Sequence, residues 1–180
     1  MKRNFFIILI GGCSRSGKSS LANKLNNQFI QSGNNSLIVN LDSWIIDVEK
    51  RKPDSIVIER FKVNEIVNSV TALLRGDIIY PPVYDSILRK NQGLSSPIQL
   101  KSGILIIEGV IALTIPELLE IANLKIYVNI PDVTRLKRLI HFYKTVKKME
   151  KYEYRKIIIE REKEEVPFIK ASKMQADIIY

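Results

Sequence analysis

At 180 residues the chain has the length of a single domain, and its 46% apolar and 26% charged residues suit a folded core and exclude long disorder. Lys and Arg outnumber Asp and Glu 28 to 19, a net charge of +9 that favours polyanionic partners: phosphorylated ligands, nucleic acid or an anionic surface. One cysteine and one histidine exclude a disulfide framework and a His/Cys metal centre, and no apolar run approaches the roughly 18 residues of a spanning helix.

Residues 1–13 (MKRNFFIILIGGC) imitate a lipoprotein signal peptide. The apolar stretch 5–10 is six residues, short of the roughly 7 to 15 such a signal carries. The residues after Cys13 also continue a motif that cleavage would destroy. The segment is therefore read as a buried strand, and the chain as cytoplasmic. From Gly17 the period becomes helical, with Leu21, Leu25 and Phe29 spaced by four and Gly33 as a stop. Residues 36–41 (SLIVNL) read as a second strand, expected beside the first. Val63, Ile66, Val67, Val70, Leu73 and Leu74 trace one helix face that Gly76 ends. The stretch 76–103, with Pro81, Pro82, Gly93 and Pro97, is the least regular. Residues 104–107 are another apolar strand, closing on Glu108-Gly109. Pro116 opens a short helix to 122, 125–130 is a fourth strand, a helix starts near Asp132, and 176–180 is the last strand. This alternation predicts one domain over residues 1–180, an open, mostly parallel five-stranded α/β sheet with helices on both faces. Ligands then belong beyond the carboxyl ends of the strands.

The first such end carries Gly12-Cys13-Ser14-Arg15-Ser16-Gly17-Lys18-Ser19, a full match to GxxxxGK[ST] between a strand and a helix. Glycines let successive backbone N–H groups turn inward on phosphate oxygens, and the helix start adds its positive dipole end. Residues 12–20, Ser20 included, are the expected cradle of a nucleoside triphosphate. Lys18 should reach the β and γ phosphates, and the Ser19 hydroxyl should bind Mg2+. Cys13 has no histidine near it in sequence and reads as loop filler. The NKxD and DxxG motifs of a GTPase are absent. Asp42 follows the second strand, where a carboxylate can take a proton from an attacking hydroxyl or orient Mg2+. Glu108 ends the third, in place to hold the metal or its waters.

With these motifs in order, the chain resembles the uridine kinase and phosphoribulokinase-like group of P-loop kinases. The resemblance rests on GGCSRSGKSS, LDSW, PPVYD, ILIIEGVIAL, LKIYVNIPDVTRLKR and ASKMQADIIY, which span nearly the whole chain. It implies a nucleoside-kinase-like three-layer P-loop fold, ATP and Mg2+ as cofactors, and Asp42 as catalytic base. It further implies that Tyr84 contacts the acceptor and that Glu108 serves the metal site. The departures point away from a nucleoside acceptor. Uridine kinases carry a ribose-binding aspartate shortly after a Pro-Asp pair, whereas Pro53-Asp54 is followed by Ser55-Ile56-Val57. Arg89 stands where a histidine usually follows PVYD, and the later Arg-Asp of the lid is replaced by Phe142-Tyr143. Trp44, Tyr84, Arg60 and Arg89 suggest an acceptor pocket with flat walls and positive corners, which many metabolites fit; Arg60 and Arg89 suit an acidic or phosphorylated compound, or equally read as solvated surface arginines.

Residues 135–156 hold nine Lys or Arg against two acids. This is the expected lid, whose cations close over the triphosphate. Arg135 and Arg138 are the expected phosphate-facing pair, with Lys144, Lys147 or Lys148 next. Basic residues on a helix are most often a solvated face, and nucleic-acid binding through Phe142, Tyr143, Tyr152 and Tyr154 is the minor reading without a recognised module. Two functions remain open at this point. One is a Mg2+- and ATP-dependent kinase acting on a small-molecule hydroxyl. The other is a non-catalytic nucleotide-dependent module that engages RNA or protein through the basic arm. No membrane partner is expected, and a homo-oligomer is left open.

Overall fold

An unbroken apolar run suits a strand covered on both faces, and residues 5–11 form one. The computed structural model describes residues 4–180; Lys2 and Arg3, the basic start of the signal-like segment, lie outside the described residues. In chain order the first half comprises β1 (Phe5–Gly11), α1 (Lys18–Gln31), β2 (Ser36–Asn40), α2 (Val63–Arg75), β3 (Pro82–Asp85) and β4 (Lys90–Leu94). The second half comprises β5 (Gly103–Glu108), α3 (Pro116–Ile121), β6 (Leu124–Tyr127), α4 (Asp132–His141), α5 (Lys151–Ala171) and β7 (Ile178–Ile179).

Five strands form a wholly parallel sheet in the order β2-β5-β1-β6-β7. Alternate side chains serve opposite faces. Ile8 and Ile10 of β1 and Ile106 of β5 pack with Leu21 and Ala22 of α1 on one side. Ile7, Leu9, Leu105 and Ile107 pack with Ile66, Val70 and Leu73 of α2 and Leu118 of α3 on the other. Full burial of each such side chain contributes about 1.5–3 kcal/mol, so the sheet centre is a rigid platform for its carboxyl edge. The second strand is not beside the first, as the sequence suggested: β5 lies between them. Register aligns Ile10, Glu108 and Asn40 in one row, which brings the three strand exits together.

The irregular stretch contains an antiparallel hairpin, β3–β4, that the sequence reading missed. Its pairing shifts between Pro82 and Tyr84, and that irregularity breaks the alternation by which a strand is recognised. The segment expected to be a lid is a helical pair: α4, a π-helical turn over Phe142–Val146, and α5, which opens with a reciprocal Glu150–Glu153 capping box. Leu139, Tyr143, Tyr154 and Ile158 give the pair a small core of its own. Beyond the expected lid range, α5 continues until Val166 and Ile169 enter the main core. Tyr143 and Tyr154 are thus buried packing groups and not exposed stacking surfaces. No helix among the described residues is long and apolar enough to cross a membrane.

Candidate active site

The cradle follows from local backbone demands. Gly12 has a φ of 137°, and a Cβ there would stand 2.6 Å from the Val128 carbonyl oxygen, so a side chain has neither the conformation nor the room. Cys13 is buried behind the loop with its Sγ 3.7 Å from the Tyr127 hydroxyl. The Ser16 hydroxyl is buried and has no partner among the described residues. Lys18 opens α1 and folds back so that Nζ donates to the Cys13 carbonyl at 3.1 Å. Burial pushes the Lys18 pKa down, opposed by the charges of Asp42 and Glu108. A buried ammonium satisfied only by a carbonyl and an orphaned hydroxyl in one loop fit an anionic group with several acceptor oxygens.

Opposite the cradle, the Ser19 hydroxyl donates to Glu108 Oε1 at 2.9 Å. Burial pushes the Glu108 carboxyl up from its ordinary range, with Lys18 and the Ser19 hydrogen bond opposing. After β2 the chain makes a 3-10 turn over Leu41–Trp44, capped by the Asn40 side chain, which accepts from the Asp42 N–H at 2.8 Å. In that tight turn residues 41 and 44 share a side. Leu41 and Trp44 therefore point into the core while Asp42 and Ser43 face the groove. A Cβ on Gly109 would come 2.8 Å from Leu41 Cβ, so the exits of β2 and β5 can close together only with glycine there. Asp42 Oδ1 is buried and without a partner among the described residues.

Two spaces meet at Asp42. An open groove runs along Ser14 to Leu21 and is lined on the lid side by Lys137, Arg138, His141 and Phe142. A smaller, more enclosed cavity lies on the other side, lined by residues of the loop after β2, of the hairpin, and of α5. Asp42, Tyr84, Arg15 and Phe142 border both. Arg15, at a φ of 65°, lays its guanidinium 3.5 Å from the centre of the Phe142 ring and forms part of the partition.

The expected site residues divide accordingly. Residues 14–20 line the groove, as do Asp42 and Glu108; Tyr84 and Arg89 line the cavity. Arg138 reaches the cradle rim, with Nη1 donating to the Ser16 and Arg15 carbonyls at 3.4 and 3.5 Å. Three expectations need correction. Arg135 does not line the groove. Four residues before Leu139 on α4, it shares the face turned to α5, where Nη2 donates to Glu162 Oε2 at 2.6 Å and Nε donates to Asp132 at 3.3 Å. Trp44 is 2% exposed in the core and does not line the cavity. Arg60 does line it, but its charge is spent on Glu165 at 2.8 Å and Glu164 at 3.2 Å, which tie its loop to α5. Lys144 and Lys148 line neither space, and Lys147 lines the cavity alone. Sequence reading missed Arg51, whose Nη2 donates to the Tyr84 hydroxyl at 3.0 Å, and Arg161 and Glu165 on α5. Only the four-residue spacing of Arg161 and Glu165 was visible beforehand, and it marks any helix pair.

Comparisons with known proteins bear on the family and the fold. The family model described as phosphoribulokinase/uridine kinase matches residues 7–180. A uridine kinase of Clostridium perfringens (strain SM101 / Type A) is 30% identical over 148 residues, covering 78% of this chain and 69% of its own. Uridine kinase-like protein 5 of Arabidopsis thaliana is 26% identical over 141 residues, 75% of this chain but 30% of that one. Among solved structures, a kinase of Silicibacter sp. TM1040 provisionally described as belonging to a fructose transport system superposes with a TM-score of 0.80 at 17% identity, covering 100% of this chain and 91% of its own. A possible uridine kinase of Bacillus stearothermophilus gives 0.67 at 22% identity, covering 100% and 90%. At such identities the two structures speak for the fold alone.

Proposed function

Because the chain belongs to the phosphoribulokinase/uridine kinase family, we propose that it transfers the γ-phosphoryl group of ATP to a hydroxyl of a small molecule in a Mg2+-dependent reaction. The observation that carries this reading is the position of Asp42, a carboxylate with an unpartnered buried oxygen between a nucleotide cradle and a second, enclosed cavity. The cradle amides and Lys18 bind the triphosphate, and Lys18 gives up the Cys13 carbonyl to do so. Ser19, Glu108 and Asp42 are the residues that would hold Mg2+. No group of three or more His, Cys, Asp or Glu forms a closed metal site among the described residues. One hydroxyl and two carboxylates at the cradle suit an ion which keeps several waters and binds through one or two carboxylates plus phosphate oxygens. Bound Mg2+ neutralises charge on the phosphate oxygens.

Asp42 accepts the proton of the acceptor hydroxyl as that oxygen bonds the γ-phosphorus. The bond from this phosphorus to the β,γ-bridging oxygen then breaks, and its electrons leave on ADP. Arg138 on the cradle rim stabilises the transferring group, a role that needs position and charge alone. Replacing Asp42 with Asn, in an ATP-consumption screen over hydroxyl compounds, should lower turnover by about 10² or more while nucleotide affinity stays within about twofold. Unchanged turnover in that variant removes the base role.

A further inference from the structure

The enclosed cavity carries more positive charge than the reaction itself requires. Six cations line it (Arg15, Arg51, Arg60, Arg89, Lys147 and Arg161) against two carboxylates, Asp42 and Glu165. Glu165 is already engaged, since its Oε1 accepts from Arg60 at 2.8 Å and lies 3.4 Å from Arg161 Nε. Arg51 donates to neutral groups, the Ile46 carbonyl and the Tyr84 hydroxyl. Among the described residues no carboxylate comes within ion-pair distance of Arg51, Arg89 or Lys147. Lys147 lies over the Phe142 and Tyr143 rings at 5.6 and 5.5 Å, in a half-buried position. Burial, followed by the charges of Arg161, Arg89 and Arg15, pushes its pKa down to about 8.

These cations are not spare nucleotide ligands. Arg51, Arg89, Lys147 and Arg161 do not line the groove, whereas Lys18, Lys24, Lys137 and Arg138 line the groove and not the cavity. The positive groups thus fall into two sets on opposite sides of Asp42. Phosphates held in the cradle neutralise one set and leave the other unmet. Like charges gathered in a confined space repel one another, and negative charge brought in relieves them.

We propose that this cavity is the acceptor site for a small hydroxyl compound bearing an anionic group, a phosphate monoester or a carboxylate. Arg89, Lys147 and Arg161 hold the anion, and Arg51 sets the Tyr84 hydroxyl. The compound's alcohol then lies toward Asp42 and the cradle. The assignment of the alcohol rests on the phosphoryl-transfer reading; the anion site does not. A neutral nucleoside would leave the charge of this cavity unanswered.

The test has two parts, both on the whole chain. In the first, ATP consumption is measured with ribose 5-phosphate, glycerol 3-phosphate, gluconate and glycerate beside ribose, glycerol and uridine. An anionic compound should exceed its neutral counterpart at least tenfold in kcat/KM, and the arm that does so separates phosphate from carboxylate. Arg89→Gln and Lys147→Met should each raise the KM of that compound by about 10- to 100-fold, the range of one charge-assisted hydrogen bond, with a smaller change in kcat. Lys147→Arg keeps the charge and should keep most of the affinity, so it reports on the site even if a neutral variant folds poorly. In the second part, calorimetry without nucleotide measures binding of the same anions. Binding that the variants weaken, without turnover in ATP, upholds the anion site and refutes the phosphotransfer reading. Preferred turnover of uridine, or of a neutral sugar, with KM unmoved by Arg89→Gln and Lys147→Met overturns the anion site and leaves phosphotransfer standing. Failure of every anion to bind at millimolar concentration overturns it as well.

Discussion

Replacing Arg135 with Met separates the two roles that its sequence position permits. In the structure its side chain is 3% exposed and holds Glu162 at 2.6 Å and Asp132 at 3.3 Å. Glu162 Oε1 already lacks a partner among the described residues, so losing Arg135 leaves both of its oxygens unpaired. Breaking a fully buried pair costs about 3–5 kcal/mol. The Glu162 side chain as a whole is 31% exposed although Oε1 is buried, and this partial exposure lowers the expected loss to about 2–3 kcal/mol. At this chain length that corresponds to a Tm about 4–12 °C lower. The double variant Arg135→Met/Glu162→Met leaves no stranded charge and should recover at least about 1 kcal/mol of the summed single losses. Denaturant unfolding of the four proteins measures this coupling, and ATP titrations run alongside should show KM within about threefold of the parent. A variant that unfolds like the parent but binds ATP more than tenfold more weakly would refute the argument and return Arg135 to the phosphates.

Two further predictions concern the spaces on either side of Asp42. Lys147 faces Arg161, Arg89, Arg15 and Asp85 besides the two aromatic rings, and with its pKa near 8 it is protonated at pH 7. Affinity for an anionic acceptor should therefore be full below pH 7 and fall by up to about tenfold per pH unit above 8, a slope that Lys147→Met abolishes. Stability responds in the opposite sense: the unfolded chain holds this proton up to about pH 10.5, so between the two values Lys147 makes unfolding harder as pH rises. Gly12→Ala places a methyl 2.6 Å from the Val128 carbonyl oxygen at a φ of 137° and should abolish binding of a fluorescent ATP analogue, with stability lowered by about 1–3 kcal/mol. Ordinary nucleotide binding by that variant would mean the loop can move away from β6.

What could be read in the sequence was what short-range order determines. The cradle was legible because its eight residues act together, through backbone conformations that Gly12 and Gly17 announce. Asp42 and Glu108 were legible as strand ends, since an apolar run that stops at an acid marks its own boundary. The order of those strands was not, because nothing local records that β5 enters between β2 and β1. Trp44 was misjudged because an aromatic beside a functional aspartate reads as pocket wall, while a 3-10 turn carries every third residue to the same side and so into the core. Arg135 was misjudged because its partner Glu162 lies on another helix. The cavity was legible only in part: Tyr84, Arg60 and Arg89 were expected in an acceptor pocket and do line it, while Arg51 and Arg161 were not foreseen. Arg51, Arg89, Lys147 and Arg161 come from four separate segments and share no spacing that a period could reveal.

The strand order also bears on how the chain comes together as it leaves the ribosome. β1 and β2 precede their partners in the chain, yet they do not touch; β2 pairs with β5 alone, β1 with β5 and the still later β6, and Phe5 must wait for Gly103. Until then the sticky edges of Ile7 to Ile10 and of Leu37 to Val39 have no lawful mate, and such long-range closure is slow. The nucleotide loop is thus synthesised early but is braced late, once its third strand slots into the gap and Glu108 arrives opposite Ser19.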